Sequence, residues 1–191
     1  SERISETTNS QTPVRTRDLH ASDRVQKMIE EQFKAIGYYY ERKKNQHEHM
    51  PKSVRLDNEL LGQICLAFYL NMPSEAKNQK AIVFSDKYED IFDEAGINAK
   101  KMLTPYHVFL PIEAMKKEIQ RKKRKRVIVN EKDAFISRAT FHILNSVKLI
   151  SEKEYFDLEK QADIDKAINK AILYISEVVE SESKKRGELY T

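Results

Sequence analysis

A few short clusters of polar residues have types and spacings that could support chemistry. Glu41 and Lys43 follow three tyrosines, which resembles the Glu-x-Lys end of a nuclease metal site on a strand. Such a site needs a second carboxylate to bind magnesium, and it uses the lysine to orient the attacking water. Asp18 and Asp23 lie upstream, but neither follows a strand pattern. Because Glu-x-Lys arises often in a chain this rich in both residues, the sequence favours a structural strand that leads into a charged loop.

Two histidine-containing clusters are weaker candidates for chemistry. His47 and His49 are alternate residues, and alternate residues on a strand point the same way, so they could share a metal ion. No third ligand has suitable spacing, so we predict neither a metal site nor a cofactor. Arg15 and His20 match the Arg-x4-6-His pattern of HEPN-type helical ribonucleases, in which His is the acid–base group and Arg stabilises phosphate charge. This pair precedes a helix instead of lying on one, so we predict no catalytic residue in this chain.

Length and composition limit the function further. The chain has 191 residues, of which 40% are hydrophobic and 34% charged, so it can bury a core and is too apolar to be disordered. Its 4 glycines leave little from which to build a phosphate-binding loop, and its single cysteine excludes an intramolecular disulfide framework. No run of about eighteen apolar residues is present, so we predict no membrane span.

The positive charge of the chain is concentrated in one segment. Between Lys116 and Arg126 there are eight basic residues and one acid, Glu118, so this segment carries +7 while the whole chain carries +4. Such a segment could bind phosphates, bind an acidic partner or form a solvated helix. Nucleic acid would be bound without reading sequence, because a broad positive surface contacts phosphates instead of base edges. The candidate nucleic-acid-binding residues are Lys122, Lys123, Arg124, Lys125 and Arg126, to which Asn9, Gln11, Arg15 and Arg17 could add contacts if the two regions share a face.

Apolar residues recur at helical spacing along most of the chain. The pattern predicts a mainly α fold, a multi-helix bundle-like domain with at most one minor strand or hairpin, at Tyr38–Glu41. Ser22 and Asp57 are predicted to cap helices, whereas Gly37 and Pro73 are predicted to end them. The predicted helices cover about residues 22–36, 58–70, 111–126, 132–150 and 164–184.

The last predicted helix carries a narrow apolar seam of the a/d type. Such a seam packs one neighbour well, which could be an antiparallel helix of the same bundle or a second copy of the chain. We therefore expect a homo-oligomer through residues 164–182 as one use of this helix. The seam consists of Ile164, Ile168, Ala171, Ile175 and Val178.

The sequence also suggests how the chain is organised. Residues 1–21 are polar and are predicted to be extended, residues 22–191 to form the helical domain, and a sub-boundary could fall near 98–110. Residues 81–84 could form either helix or a short strand. Cys65 lies in the apolar stripe of its helix, which favours a packed and unreactive thiol.

The stretch from 8 to 43 resembles the signature region of the abortive infection phage resistance family, AIPR. The resemblance is carried by TNSQTPV at 8–14, RDL at 17–19 and FKAIGYYYERK at 33–43, and it continues more loosely to about Phe92. Family members are typically several times longer, with a restriction-endonuclease-like region before the Asn-Ser-Gln run. The start at Ser1 is therefore interpreted as a cut inside a longer protein.

The resemblance implies a bacterial, cytoplasmic protein that defends against phage by abortive infection. It assigns Glu41 and Lys43 to a structural strand, because the nuclease-type carboxylates would lie in the upstream region. In this interpretation the chain is a helical module that positions a missing N-terminal nuclease-like effector on nucleic acid or on a partner. Alternatives from other classes are an oligomerisation scaffold and a HEPN-like helical ribonuclease.

Overall fold

The computed structural model describes residues 16–188, and it confirms a mainly α fold with one small two-stranded sheet. The helices are α1 (Thr16–His20), α2 (Arg24–Ala35), α3 (Asn58–Tyr69), α4 (Pro73–Asn78), α5 (Tyr88–Ile91), α6 (Ala99–Arg124), α7 (Glu131–Ile136), α8 (Thr140–Glu154) and α9 (Gln161–Glu188). The strands are β1 (Tyr39–Glu41) and β2 (Arg55–Asp57), and short 3₁₀ turns span Lys52–Val54 and Lys80–Phe84. Residues 81–84 are thus helical, and residues 16–20 form a helix where an extended segment was predicted.

Helix α2 leads into the sheet through a left-handed turn. Gly37 has φ +83°, a conformation that glycine adopts without steric cost, so its predicted role as a stop is confirmed. The predicted cap, Ser22, was wrong: Asp23 occupies the N-cap position with extended backbone, and its carboxylate makes no capping bond. That carboxylate instead accepts hydrogen bonds from outside the helix, as described below.

The two strands are parallel, and their paired ends bring charged residues together. Tyr40 is fully buried, stacks on Phe33 at 5.5 Å and donates its hydroxyl hydrogen to Gln26. The register aligns Tyr40 with Leu56, and Glu41 with Asp57. Burial of the aromatic side chain anchors the strand, and the next residue is therefore held at the edge of the core.

Helix α3 lies in the centre of the fold and begins as predicted. The Oδ1 atom of Asp57 accepts a hydrogen bond of 2.9 Å from the backbone N–H of Leu60, which satisfies one of the free donors of the first turn. A Cβ atom on Gly62 would lie 2.3 Å from Cγ1 of Val83, so the absence of a side chain permits the close approach of the 3₁₀ turn. Pro73 does not end α3; it begins α4, where a missing N–H costs nothing.

Helix α6 is longer than the sequence indicated. We predicted a start at Pro111, but Asn98 caps the helix and both Pro105 and Pro111 lie inside it. An internal proline costs about 3 kcal/mol, and the apolar face that α6 buries against α3 and α8 offsets this cost. The helix is continuous through residues 99–124 and crosses the region near 98–110 where a sub-boundary was proposed.

The predicted helix 132–150 is in fact two helices. Residues 137–139 form a tight turn between α7 and α8, in which the N–H of Arg138 donates to the carbonyl of Phe135. Because the turn is a single helical-type turn, Ala139 and Ile143 keep their spacing from Phe135, and the apolar period continues across the break. The periodicity alone therefore could not reveal it.

Helix α9 packs mainly on α8 and completes the core. Ile164, Ile168 and Ala171 are almost fully buried, whereas Val178 is 43% exposed, so the first part of the predicted seam is covered within the chain. Across the residues described, no helix combines the length and apolar character needed to cross a lipid bilayer.

Candidate nucleic-acid interface

The basic segment forms the last turns of α6 and the residues that terminate it. Arg126 adopts the left-handed conformation with φ +59°, and its N–H donates to the carbonyl of Lys123. The N–H of Val127 donates to the carbonyl of Lys122, which completes a Schellman-type end. Glycine usually occupies the left-handed position, and a residue with a side chain costs about 1 kcal/mol there. The sequence thus places a cation where glycine would be more stable.

Some of these cations are already paired. The guanidinium of Arg121 donates two hydrogen bonds of 2.9 Å to the carboxylate of Glu118, and Lys116 forms an ion pair of 3.0 Å with Glu113. The ammonium of Lys123 lies 3.5 Å from the hydroxyl of Ser137. These contacts remain on the surface, and surface pairs of this kind contribute little to stability.

The remaining cations at the end of α6 have no ion-pair partner among the described side chains. Among the side chains that the structure describes, no carboxylate lies within the 4 Å of an ion pair from any of Lys122, Arg124, Lys125 and Arg126. Lys122 is partly exposed and the other three are exposed. Lys122 lies in the last turn of α6, and Lys125 and Arg126 follow as its C-cap and its left-handed residue, so the charges are concentrated at this end of the helix.

The acid within the basic segment, Glu118, is influenced by its cationic neighbours. The pKa of Glu118 lies below its usual value, chiefly because Arg121 donates to the carboxylate, with Lys122 and Lys125 adding attraction. Cations at a helix C-terminus also interact favourably with the helix dipole, but this effect is confined to the last turn. The partial negative charge at the end of the helix therefore offsets only part of the positive charge of these side chains, and the remainder is available to a phosphate.

The sequence reasoning missed one neighbour of this surface. Arg138 is exposed in the turn after α7, next to Ser137, which contacts Lys123. The fold therefore brings a further cation to the basic end of α6, although it lies more than ten residues away in the chain. No short-range pattern could have shown this proximity, because it depends on the Schellman turn that folds the chain back.

Of the four N-terminal residues in the predicted site, the structure describes one, Arg17. Asn9, Gln11 and Arg15 lie outside the described residues. Arg17 is 6% exposed, forms an ion pair of 2.8 Å with Asp57 and donates a hydrogen bond of 2.8 Å to the carbonyl of Glu41. It therefore links α1 to the ends of both strands, and we leave it out of the surface considered below.

The register of the sheet supplies the second carboxylate that a Glu-x-Lys site would need. Glu41 and Asp57 are aligned at the ends of the two parallel strands. However, Glu41 is buried, lies 3.5 Å from Arg55 and accepts a hydrogen bond of 3.0 Å from the backbone of His47, while Asp57 binds Arg17 and caps α3. Both charges are thus engaged in structural contacts.

The histidines form local contacts. His20 stacks on Tyr88 at 3.8 Å, and both side chains hydrogen-bond to the carboxylate of Asp23. Burial opposes ionisation of that carboxylate, but the two hydrogen bonds outweigh it and lower the pKa of Asp23. His47 and His49 lie with ring centroids 6.2 Å apart. Within the described part of the chain, no cluster of three or more His, Cys, Asp or Glu side chains could hold a metal ion.

Cys65 is buried in the core, as predicted. Burial raises the pKa of its thiol to about 12, so the nucleophilic thiolate is scarcely populated near neutral pH. This agrees with a packed and unreactive role.

A family model described as AIPR protein matches residues 1–186, which is nearly the whole chain. Comparisons with curated proteins and with solved structures gave no match.

Proposed function

The chain belongs to the AIPR family, which indicates a role in defence against phage, and we propose that it acts by binding nucleic acid through the basic end of α6. In this proposal the helical module holds a nuclease-like effector on nucleic acid without selecting a sequence. The surface consists of Lys122, Lys123, Arg124, Lys125 and Arg126, with Arg138 beside it.

The observation that carries the proposal is the lack of carboxylate partners for most of these cations among the described side chains. Lysines elsewhere include both paired ones, such as Lys87 at 2.7 Å from Asp90, and exposed ones such as Lys34 for which the described side chains supply no ion pair. What distinguishes the end of α6 is that the five consecutive residues 122–126 are all cations. Unpaired cations crowded on one helix repel each other, and each like-charged pair at i,i+4 costs about 0.2–0.5 kcal/mol. A phosphate backbone neutralises these charges directly, whereas water and salt only screen the repulsion.

Capping of the helix dipole is the competing explanation, and it accounts for only part of the charge. One or two cations in the last turn provide most of the favourable interaction, which is worth about 0.3–1 kcal/mol each. The sequence adds further cations on every side of the helix and one in the left-handed position. A broad cationic surface of this kind is what contact with phosphates requires, since such contacts need charge more than directed geometry.

The experiment is a fluorescence anisotropy titration of labelled duplex and single-stranded DNA and RNA at several salt concentrations. The variant changes Lys122, Lys123, Arg124 and Lys125 to Gln. Binding of about four to six phosphates should give a log–log salt slope near −0.9 per contact on duplex DNA, with roughly micromolar affinity at low salt. The variant should lose most of the slope.

A matched control removes the same charge elsewhere. Lys34, Lys43, Lys44 and Lys80 are exposed, and changing all four to Gln alters the net charge equally. If both variants bind alike, or if the wild-type chain binds no nucleic acid at low salt, the proposal is wrong. If the chain binds an acidic protein and no nucleic acid, the basic segment is a surface for an acidic partner.

A second candidate function, an oligomerisation scaffold, is supported by exposed apolar residues on α9. Tyr174 is 58% exposed, and Val178 and Val179 are 43% and 42% exposed. This function does not exclude nucleic-acid binding, because the basic end of α6 involves different residues.

A further inference from the structure

Helix α9 extends well beyond the helix that covers it. It has 28 residues against 15 in α8, which at 1.5 Å per residue makes it about 20 Å longer. Val178 and Val179 follow Ile168 and Ala171 at helical spacing and continue the same face, yet they are largely exposed. The apolar face is therefore longer than its partner within the described chain.

A groove between α8 and α9 lies on a different side of α9, because Lys170 and Tyr174, which line it, are about 200° and 240° around the helix from Ile168. It has a volume of about 330 Å³, and Leu149 and Tyr174, which are 49% and 58% exposed, supply its apolar lining. Lys170 stands at its rim, where its ammonium donates a hydrogen bond of 2.7 Å to Glu154. The groove thus joins exposed apolar surface to a positioned charge.

The charges on either side of Tyr174 have opposite signs. Lys170 precedes it and Glu177 follows it, and the two are seven residues apart, so they lie on the same side of α9 about 10 Å from each other. Glu177 is exposed and has no basic partner among the described side chains. A helix that carries a base and an acid in this order is complementary to an antiparallel copy of itself.

We infer that this groove is a homodimer interface in which α9 of a second copy packs antiparallel across Tyr174. A two-fold axis near Tyr174 places Lys170 of each copy against Glu177 of the other, so that each ammonium is shared between Glu154 of its own chain and Glu177 of the second copy. The symmetry generates the second contact from the first. Tyr174 and Leu149 then bury their exposed surface between the copies. This inference goes beyond nucleic-acid binding and does not depend on it.

The proposed dimer interface is small. Two helices that meet over a few turns make a contact at the low end of specific interfaces, which typically bury about 1,200–2,000 Å². We therefore expect dissociation in the micromolar range, so the chain should be monomeric when dilute and dimeric when concentrated.

The test is a charge exchange followed by sedimentation equilibrium over a wide range of concentrations. Glu177→Lys brings two bases together at each contact, and Lys170→Glu brings two acids together, so each variant alone should dimerise at least tenfold more weakly than wild type. Because Lys170→Glu also removes the pair with Glu154, recovery of the dimer in the mixture is what reports the contact between copies. An equimolar mixture of the two variants restores both ion pairs and should recover the dimer. Lys44→Glu and Glu89→Lys, at exposed positions on other elements, make the same charge changes and should leave dimerisation unaltered.

Tyr174→Asp provides an independent variant that does not depend on the ion pairs, and it should abolish the dimer. Circular dichroism verifies that each variant keeps the helical content of wild type. A wild-type chain that stays monomeric at high concentration overturns the inference. So does a dimer that neither charge reversal weakens, or one that the mixture of variants fails to restore.

Discussion

Asp57 holds two parts of the fold together, so its replacement should have a large and separable cost. Its Oδ1 atom caps α3, and its Oδ2 atom pairs with the buried guanidinium of Arg17 at 2.8 Å. Asp57→Ala removes both contacts at once. Asp57→Asn removes the charge but keeps a side-chain oxygen that can still cap the helix.

The magnitude can be worked out from these contacts. Loss of an N-cap costs about 1 kcal/mol. Removing one partner of a buried ion pair costs about 3–5 kcal/mol, but Asp57 is 35% exposed, so solvent reduces this part to about 1–3 kcal/mol. Asp57→Ala should therefore lower the free energy of unfolding by about 2–4 kcal/mol and the Tm by roughly 5–15 °C, since about 2–4 °C corresponds to 1 kcal/mol at this size.

Urea denaturation followed by circular dichroism measures these differences directly. Asp57→Asn should lose about 1 kcal/mol less stability than Asp57→Ala, and a cycle with Arg17→Met should give a coupling of about 1–3 kcal/mol. Asp90→Ala removes an exposed, solvent-screened ion pair with Lys87 and should cost far less than Asp57→Ala. If Asp57→Ala is as mild as Asp90→Ala, the assignment of Asp57 as a link between α1, the sheet and α3 is wrong.

Other consequences can be measured on the same chain. Gly62→Ala should lower the free energy of unfolding by about 1–2 kcal/mol because its Cβ would meet Val83 at 2.3 Å, and Val83→Ala in the same chain should relieve part of that loss in urea denaturation. The pKa of the Asp23 carboxylate is lowered in the folded chain, so this group stabilises the fold at pH values above its unfolded pKa of about 3.8. That stabilisation is lost as the pH falls through the folded pKa. Asp23→Asn should therefore make the loss of stability below about pH 4 less steep. Cys65 should react with a thiol reagent at pH 8 only after unfolding, and rapid reaction of the native chain would contradict its burial.

Local patterns in the sequence predicted the elements that local forces determine. The left-handed stop at Gly37, the cap at Asp57 and the short strand before Glu41 each depend on neighbouring residues, and each is present. The predicted start of α6 at Pro111 was wrong, because a helix can contain an internal proline when its burial against distant elements offsets the cost. The break before α8 was missed because a tight turn preserves the apolar period.

In the candidate site, too, features set by neighbouring residues were predicted and features set by distant contacts were not. A run of cations is visible in the sequence, and it remains at the surface because burying unpaired charges is costly. Arg17 could not be placed from the sequence, since its burial depends on Asp57, forty residues further along the chain. Arg138 was missed for a related reason: the turn after α6 brings the preceding residue, Ser137, within 3.5 Å of Lys123.

The two proposed surfaces lead to one further prediction when they are considered together. A dimer carries two basic ends, so a nucleic acid long enough to reach both gains affinity from the second contact at a raised effective concentration.

Glu177→Lys separates this effect from simple electrostatics. The substitution adds positive charge, which by itself should strengthen binding to phosphates, but it weakens the proposed dimer and should therefore weaken binding to long duplexes. Binding of a short duplex that spans one basic end should not weaken. Anisotropy titrations with short and long duplexes of the same composition distinguish the two effects, and tighter binding of the variant to both would show that the basic ends act independently.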